Sequence, residues 1–214
     1  MQAILPFLTN PATIIVFVAL FVLSLIAVTV AFQKAIQFAQ LGVGQRGTAE
    51  IILDSWLSGR ADDAIKLASE RGSVLARILQ AVFSGVQARP ADPAYAEELG
   101  RQTAIIELAS MTNRMRLLEM VVQSAPMLGL LGTVIGMIDA FSVLAVSEGA
   151  ANAQALAGGI WTALVTTALG LAVALVAYFV AVWLEGRIER ERNLIEAAIS
   201  AAIHGRVSPS NLGK

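Results

Sequence analysis

Three long stretches of nearly uncharged sequence constrain the fold of this chain more than any other feature. The first, Ala12 to Phe32, is a run of 21 residues without a charge. As a helix it would rise about 31 Å, which matches a hydrocarbon core about 30 Å thick. The second, 120–146, contains one acid, and the third, 149–184, contains no charge. The sequence therefore predicts an all-α membrane protein with three transmembrane helices.

The ends of these stretches add detail to that prediction. No Lys or Arg precedes the first stretch, so it lacks the basic region of a cleavable signal and we expect it to be retained. From 155 to 184 the third would rise about 45 Å, longer than a bilayer core, so its end is expected to project into the cytoplasm. Mixed charges in Glu185 to Ala202 predict a helical continuation, and the last ten residues are predicted to be disordered.

The distribution of basic residues predicts the orientation. All 15 Lys and Arg residues lie between Lys34 and Arg116 or between Arg187 and Lys214. By the positive-inside rule these two regions are cytoplasmic, which places the N-terminus outside and the C-terminus inside. The predicted order is a short periplasmic N-terminal segment 1–11, a first transmembrane helix 12–33, a large helical cytoplasmic domain 34–118, a second transmembrane helix 119–147, a periplasmic loop 148–154, a third transmembrane helix 155–184, and a cytoplasmic helix and tail 185–214.

The predicted cytoplasmic domain reads as a series of helices. Apolar residues recur in it at helical spacing, Gly72 predicts a break, and Pro90 with Pro93 predicts a turn. From Ala94 onward the sequence contains no further breaker until Pro126. We therefore expect one long helix to run from this domain into the second span.

Several kinds of function lack the residues they need. The chain has no cysteine and a single histidine, His204, which excludes disulfides and thiolate metal sites. It has no phosphate-binding glycine motif, no histidine–carboxylate metal set and no basic stripe for nucleic acid. The sequence predicts neither an enzyme nor a bound metal or cofactor.

Small residues in the second and third stretches predict that these two helices pack together. Glycine weakens a helix in water, but in a bilayer it lets two helix backbones approach closely. Gly132 and Gly136 form a small-xxx-small pair. Two stripes are predicted to meet: Gly129, Thr133, Gly136 and Ala140 on the second helix, and Gly159, Thr162 or Ala163, Thr166, Gly170 and Ala174 on the third.

The polar residues of these helices have two explanations each. A threonine hydroxyl can bond to the carbonyl one turn back and need no other partner. Alternatively, Thr133, Thr162, Thr166 and Thr167 line a polar path for an ion. Asp139 is the only acid from 120 to 146; it is either a solvated carboxylate near the outer surface or a cation-attracting channel mouth.

Two segments of this sequence resemble the ExbB/TolQ branch of the MotA/TolQ/ExbB proton-channel family. They are Ala125-Pro126 with Gly129 to Met137, and Gly159 to Leu171. The resemblance implies a homo-oligomer, in this branch a pentamer, in the inner membrane of a bacterium. Its second and third helices would surround the single span of an ExbD/TolR-like partner whose Asp carries the proton. Thr133 and Thr167 match the threonines of the family.

The same resemblance implies a role in energy transduction. Ion flow would drive a periplasmic protein of the TonB or Tol type and so power a process such as TonB-dependent import. Two positions depart from the family pattern: Thr162 stands where many members carry Glu, and Val176 where many carry Pro. The first departure leaves any proton relay more dependent on a partner, and the second predicts a straighter third helix.

Two other functions compete with this one. A scaffolding protein would use its glycines only for oligomerisation and would conduct no ion itself. A secondary transporter is disfavoured, because three spans provide no paired repeats. Threonine hydroxyls suit H⁺ and Na⁺ alike, so the ion stays open.

Overall fold

The computed structural model describes residues 11–44, 46–146 and 153–205, and these ranges contain helices and turns with no strand. The all-α prediction is thus confirmed for the described chain. The seven helices are α1 (Pro11–Gln40), α2 (Arg46–Leu57), α3 (Ala61–Glu70), α4 (Val74–Ala88), α5 (Pro93–Thr112), α6 (Met115–Val146) and α7 (Ala153–His204). The predicted periplasmic loop lies mostly outside the described residues, as does the tail beyond Gly205.

Three segments are long and apolar enough to cross a membrane, as predicted. They are Pro11–Gln40, Pro93–Ser142 and Leu156–His204. Large apolar side chains cover their outer surfaces: on α1, Ile15, Phe21 and Phe32 are all more than half exposed. A helix that is apolar all round is stable only inside a protein or a bilayer. The chain is therefore a multi-pass membrane protein.

Two of these helices extend beyond the predicted spans. α1 continues past residue 33 to Gln40, so no helix end marks the predicted edge of the first span. α7 is a single helix of 52 residues and continues unbroken through Val176. The predicted helical continuation from Glu185 to Ala202 is confirmed.

The prediction of one long helix from Ala94 into the second span is wrong. α5 ends at Thr112 and α6 begins at Met115. Asn113 leaves the helical conformation with φ −54° and ψ 138°, its N–H donates to the Ala109 carbonyl, and Arg114 has a φ of 68°. A left-handed residue after a helix is a common C-terminal cap, and Asn is a weak helix former. By contrast, Pro126 lies inside α6 and does not end it.

The chain divides into two compact units. The first comprises the described parts of Met1–Phe32 and Arg114–Val182. Its core is formed by side chains of α1, α6 and α7: Val16, Leu20, Ala125 and Ala174 are buried, and Leu23, Leu128, Ile135 and Val173 pack against them. These contacts bring the three candidate membrane helices into one bundle.

The second unit comprises Gln33–Asn113 and the described part of Trp183–Lys214. The predicted break at Gly72 and turn at Pro90–Pro93 are confirmed, since they separate α3, α4 and α5. α4 is central to this unit and buries Ile78, Leu79, Val82 and Phe83 completely. Trp56 stacks on Phe83 with ring centroids 4.1 Å apart, and its Nε1 donates to the Ala202 carbonyl at 2.9 Å.

An ion pair joins two helices of the second unit, and a buried lysine holds the end of one of them. Arg77 donates two hydrogen bonds of 2.7 Å to the Glu107 carboxylate, joining α4 to α5. That hydrogen bonding raises the pKa of Arg77 above its ordinary value. Lys34 of α1 is 2% exposed, and its Nζ donates to the Met111 carbonyl at 2.7 Å and to Gln37 Oε1 at 2.9 Å.

Candidate functional site

Five glycines bring α6 and α7 into close backbone contact. We call this contact the glycine seam; it comprises Gly129, Gly132, Gly136, Gly159 and Gly170. A Cβ added to Gly132 would lie 2.5 Å from Thr166 Oγ1, and one added to Gly129 would lie 3.0 Å from the Thr166 carbonyl oxygen. A contact of 2.5 Å does not occur between real side chains, so a Cβ at Gly132 would require Thr166 to move, and a Cβ at Gly129 would require the α7 backbone to shift by a few tenths of an ångström.

The rest of the seam continues this contact in both directions along the helices. Added Cβ atoms would lie 3.1 Å from Ala163 Cβ at Gly136 and 2.5 Å from Ala140 Cβ at Gly159. At Gly170, the added atom would lie 2.5 Å from the Ala125 carbonyl oxygen. Of the two predicted alternatives on α7, the residue that faces α6 here is therefore Ala163.

Two threonine hydroxyls of α7 lie within hydrogen-bonding distance of the same backbone oxygen of α6. Thr167 Oγ1 donates to the Gly129 carbonyl at 3.0 Å. Thr166 Oγ1 donates to the Ala163 carbonyl at 2.7 Å in its own helix and lies 3.4 Å from the Gly129 oxygen. Thr166 is 0% exposed, whereas Thr167 is partly exposed. Gly129 can serve as the shared acceptor because its lack of a side chain lets α7 approach it.

The other two predicted threonines bond only within their own helices, as far as the described contacts go. Thr162 is 7% exposed, and its hydroxyl donates to the Gly158 carbonyl at 2.9 Å. Thr133 donates to the Leu130 carbonyl at 2.6 Å. Both contacts are the bond to the preceding turn that is common for threonine in membrane helices.

Thr133 differs from the predicted stripe in its position. α7 lies against Ala125, Gly129, Gly132, Gly136 and Ala140 of α6. Thr133 instead lines an open groove on α6 with Val134, Met137, Ile138, Phe141 and Ser142. The structure therefore brings Thr166 and Thr167 together at the seam and places Thr133 on a neighbouring face.

Asp139 lies on α6, one residue before Ala140, which lies against Gly159 of the glycine seam. Its side chain is partly exposed, and its backbone carbonyl accepts a hydrogen bond from Ser142 Oγ at 2.9 Å. No cluster of three or more His, Cys, Asp or Glu side chains that could hold a metal occurs in the described ranges. The chemistry available at the seam is thus that of hydroxyls and backbone carbonyls.

Sequence reasoning did not identify the Gly129 carbonyl as a hydrogen-bond acceptor. It also gave no role to Ala125 in the contact with Gly170. A signal for Ala125 exists, because it stands four residues before Gly129 and so continues the same helix face. No comparable signal marks a backbone oxygen, since its accessibility depends on how closely the other helix approaches.

Comparison with known proteins adds a family match. Residues 70–197 match the model of the MotA/TolQ/ExbB proton channel family. That segment includes α4, α5, α6 and most of α7, and therefore the whole glycine seam.

Three relatives are similar to parts of this chain. A biopolymer transport protein ExbB homolog of Methanothermobacter thermautotrophicus is 41% identical over 100 residues, which is 47% of this chain and 35% of the relative. Two Synechocystis proteins, biopolymer transport proteins ExbB-like 1 and ExbB-like 3, are 33% and 32% identical over 78% and 75% of this chain. The alignments span 65% of the first Synechocystis protein and 76% of the second.

Proposed function

Because this chain belongs to the MotA/TolQ/ExbB proton channel family, in its ExbB/TolQ branch, we propose that it is the channel-forming subunit of an energy-transducing complex. The complex would lie in the bacterial inner membrane and use the proton-motive force. Its N-terminus would be periplasmic, and α2 to α5 with the C-terminal part of α7 would be cytoplasmic. The segregation of basic residues supports that orientation.

The partly exposed hydroxyls of Thr167 and Thr133 carry the proposal. Thr167 donates its hydroxyl proton to Gly129, and Thr133 donates its own to Leu130. A hydroxyl that donates its proton keeps two lone pairs that can accept a hydrogen bond. Both side chains are partly exposed, so these lone pairs can receive a proton donor from outside the chain. Water, hydronium or a protonated carboxylic acid would suit them.

The remaining threonines have a different role in this proposal. Thr166 and Thr162 are buried, so neither hydroxyl reaches the surface in this conformation. They stabilise α7 and its contact with α6. Of the four threonines predicted to line a polar path, we therefore assign only Thr133 and Thr167 to it. Asp139 keeps its proposed role as a channel-mouth acid.

The proton carrier must come from another polypeptide. Asp139 is the only acid from 120 to 146, and 149–184 contains none. We propose a pentamer of this chain around an ExbD/TolR-like partner with one membrane Asp. That partner would pass motion to a TonB-like or Tol-type protein and power a process such as TonB-dependent import.

Proton flux in vesicles tests the proposal. The chain is co-expressed with an ExbD/TolR-like protein, and pH changes are recorded inside inverted membrane vesicles. Thr133→Val and Thr167→Val are expected to reduce flux about tenfold or more, because each removes a polar contact worth roughly 1.5 kcal/mol to the moving proton. Thr29→Val, at an exposed position of α1, is the matched control and should leave flux unchanged. Unchanged flux in both pore variants would contradict the assigned role.

One observation favours a second function, a scaffold that oligomerises without conducting ions. Thr133, Thr162 and Thr166 each donate to a carbonyl of their own helix, which satisfies the hydroxyl without any ion. A purified complex that retains its partner but shows no cation permeability in liposomes would support this alternative.

A further inference from the structure

An apolar groove separates α1 from α7 within the first compact unit. Its volume is about 330 Å³. Nine residues of the two helices line it: Ser24, Ala27, Val28, Ala31, Ala172, Val173, Val176, Ala177 and Val180. None of these side chains is charged, and the Ser24 hydroxyl is the only polar side-chain group among them.

The groove exists because small residues follow a well-packed segment. Val16 and Leu20 of α1 are buried against α6 and α7, and Leu23 packs at the edge of that cluster. In the next turns of α1, the residues that line the groove are Ser24, Ala27, Val28 and Ala31. Three of these four side chains are short, as are those of Ala172 and Ala177 in the α7 wall, and Ala27 and Ala177 are themselves buried. A gap therefore opens where the packed core ends.

The size of the groove restricts what can occupy it. A helix about 10 Å in diameter that rises about 1.5 Å per residue occupies roughly 120 Å³ per residue. A groove of about 330 Å³ would hold fewer than three such residues. A whole transmembrane helix therefore does not fit inside the groove and could reach it only with side chains from above, whereas a single flexible hydrocarbon chain fits along it.

The walls indicate the chemistry of that chain. Alanine and valine methyl groups offer dispersion contacts and no hydrogen bond, so a polar ligand would lose its hydration without compensation. The groove belongs to two helices that are apolar enough to cross a membrane. Lipid tails surround such helices and are the available apolar occupant.

We propose that this groove binds one acyl chain of a bilayer phospholipid, held between α1 and α7 as part of the folded subunit. The proposal rests on the membrane location of the two helices and is independent of ion conduction. The acyl chain would supply the apolar contacts that Ser24, Ala27 and Ala31 cannot make with α7.

Photo-crosslinking tests the proposal. The full chain is reconstituted into nanodiscs of phosphatidylethanolamine and phosphatidylglycerol that contain phosphatidylcholine with a diazirine at the middle of one acyl chain. Adducts are mapped by mass spectrometry after illumination. Val176 lines the groove and is 62% exposed, whereas its neighbour Leu175 is 56% exposed and does not line it. Adducts should be several times more frequent at Val176 than at Leu175.

Variants with larger side chains in the groove provide the second part of the test. Ser24→Leu and Ala31→Leu, each at a partly exposed position, should lower the frequency of lipid adducts in the groove about tenfold. This is the effect expected when the new side chain displaces about two methylene groups of the acyl chain from the groove. Ala168→Leu is the matched control, because Ala168 is exposed on α7 and does not line the groove. Circular dichroism and gel filtration identify any variant that fails to fold. The comparison of adducts at Val176 and Leu175 uses only the wild-type protein and does not depend on the variants.

Three outcomes would overturn the proposal. Equal labelling of Val176 and Leu175 would show that lipid contacts the helix without preference for the groove. Undiminished adducts in both folded filling variants would place the lipid elsewhere. Crosslinks from a photoreactive residue introduced at Val176 to a second copy of the chain would show that a neighbouring subunit occupies the groove instead.

Discussion

At the scale of single residues, the missing methyl group of glycine decides how closely α6 and α7 can approach. Gly132 faces the buried Thr166, whose Oγ1, Cβ and Cγ2 would all lie within 3.0 Å of an added Cβ. A helical partner of this kind cannot move aside without loss of its own hydrogen bonds. Gly158, one residue before the seam residue Gly159, has open space around its Cβ position.

These two glycines allow a matched prediction. Gly132→Ala should destabilise the protein by about 1–3 kcal/mol, because the added methyl group overpacks the seam. Gly158→Ala should be neutral or stabilise it by up to about 1 kcal/mol, since alanine is the better helix former. Reversible unfolding in mixed micelles measures both. Equal effects of the two substitutions would contradict the proposed packing role of Gly132.

The sequence predicted this part of the molecule well in one respect and poorly in another. Spacing of small residues by three and four identified every glycine at which α6 and α7 meet. It did not indicate that Thr133 also lines an open groove on α6. Spacing alone therefore cannot separate the centre of a packing face from its edge.

At the scale of helices, the joint between α5 and α6 depends on side chains that are distant in sequence. Lys34 Nζ donates to the Met111 carbonyl at 2.7 Å, and Gln37 Nε2 donates to the Ser110 carbonyl at 3.1 Å. Both acceptors belong to the last turn of α5, where carbonyls lack partners within the helix. A cation there also interacts favourably with the helix dipole. α1 thus caps α5 at the point where the chain turns.

Substitution of Lys34 tests this cap. Lys34→Met keeps the length of the side chain but leaves the buried Met111 carbonyl without this donor. The expected cost is about 1–3 kcal/mol of unfolding free energy, accompanied by faster amide hydrogen exchange in the last turn of α5. Lys66→Met, at an exposed position of α3, is the control. If exchange in α5 is equally slow in both variants, Lys34 does not hold this helix end.

The distance in sequence between these donors and α5 explains why the sequence predicted one continuous helix. Helix ends are recognised from local signals such as glycine and proline, and neither occurs between Gly100 and Pro126. Here the stabilising donors come from α1, more than 70 residues earlier. The other breaks, at Gly72 and at Pro90–Pro93, carry local signals and were predicted from them.

At the scale of the whole molecule, the natural absence of cysteine makes the proposed topology easy to test. Asp62→Cys in α3 and Glu196→Cys in α7 should resist a membrane-impermeant maleimide in intact spheroplasts and react after permeabilisation. Ser147→Cys, in the connection between α6 and α7, should react without permeabilisation. The reverse pattern would invert the proposed orientation. Equal labelling before and after permeabilisation at all three positions would argue against a sealed three-span arrangement.

Much of the architecture could be predicted because bilayer physics imposes it. Long uncharged segments have few alternatives to spanning helices, so the number and class of the elements follow from hydropathy. Hydropathy alone does not predict which parts of those helices pack against each other. The groove beside Ser24 and Ala31 shows this, since small residues there leave a gap, whereas small residues at Gly129 and Gly132 create a contact.

The shared acceptor at Gly129 has a consequence for genetics. Its oxygen belongs to the main chain, so no amino-acid replacement at that codon can delete it. If every amino acid were substituted at position 129, the variants would show only whether a side chain fits there. They would not show that the carbonyl oxygen accepts hydrogen bonds. Its hydrogen bonds would become visible only from the donor side, as the difference between serine and valine alleles at positions 166 and 167.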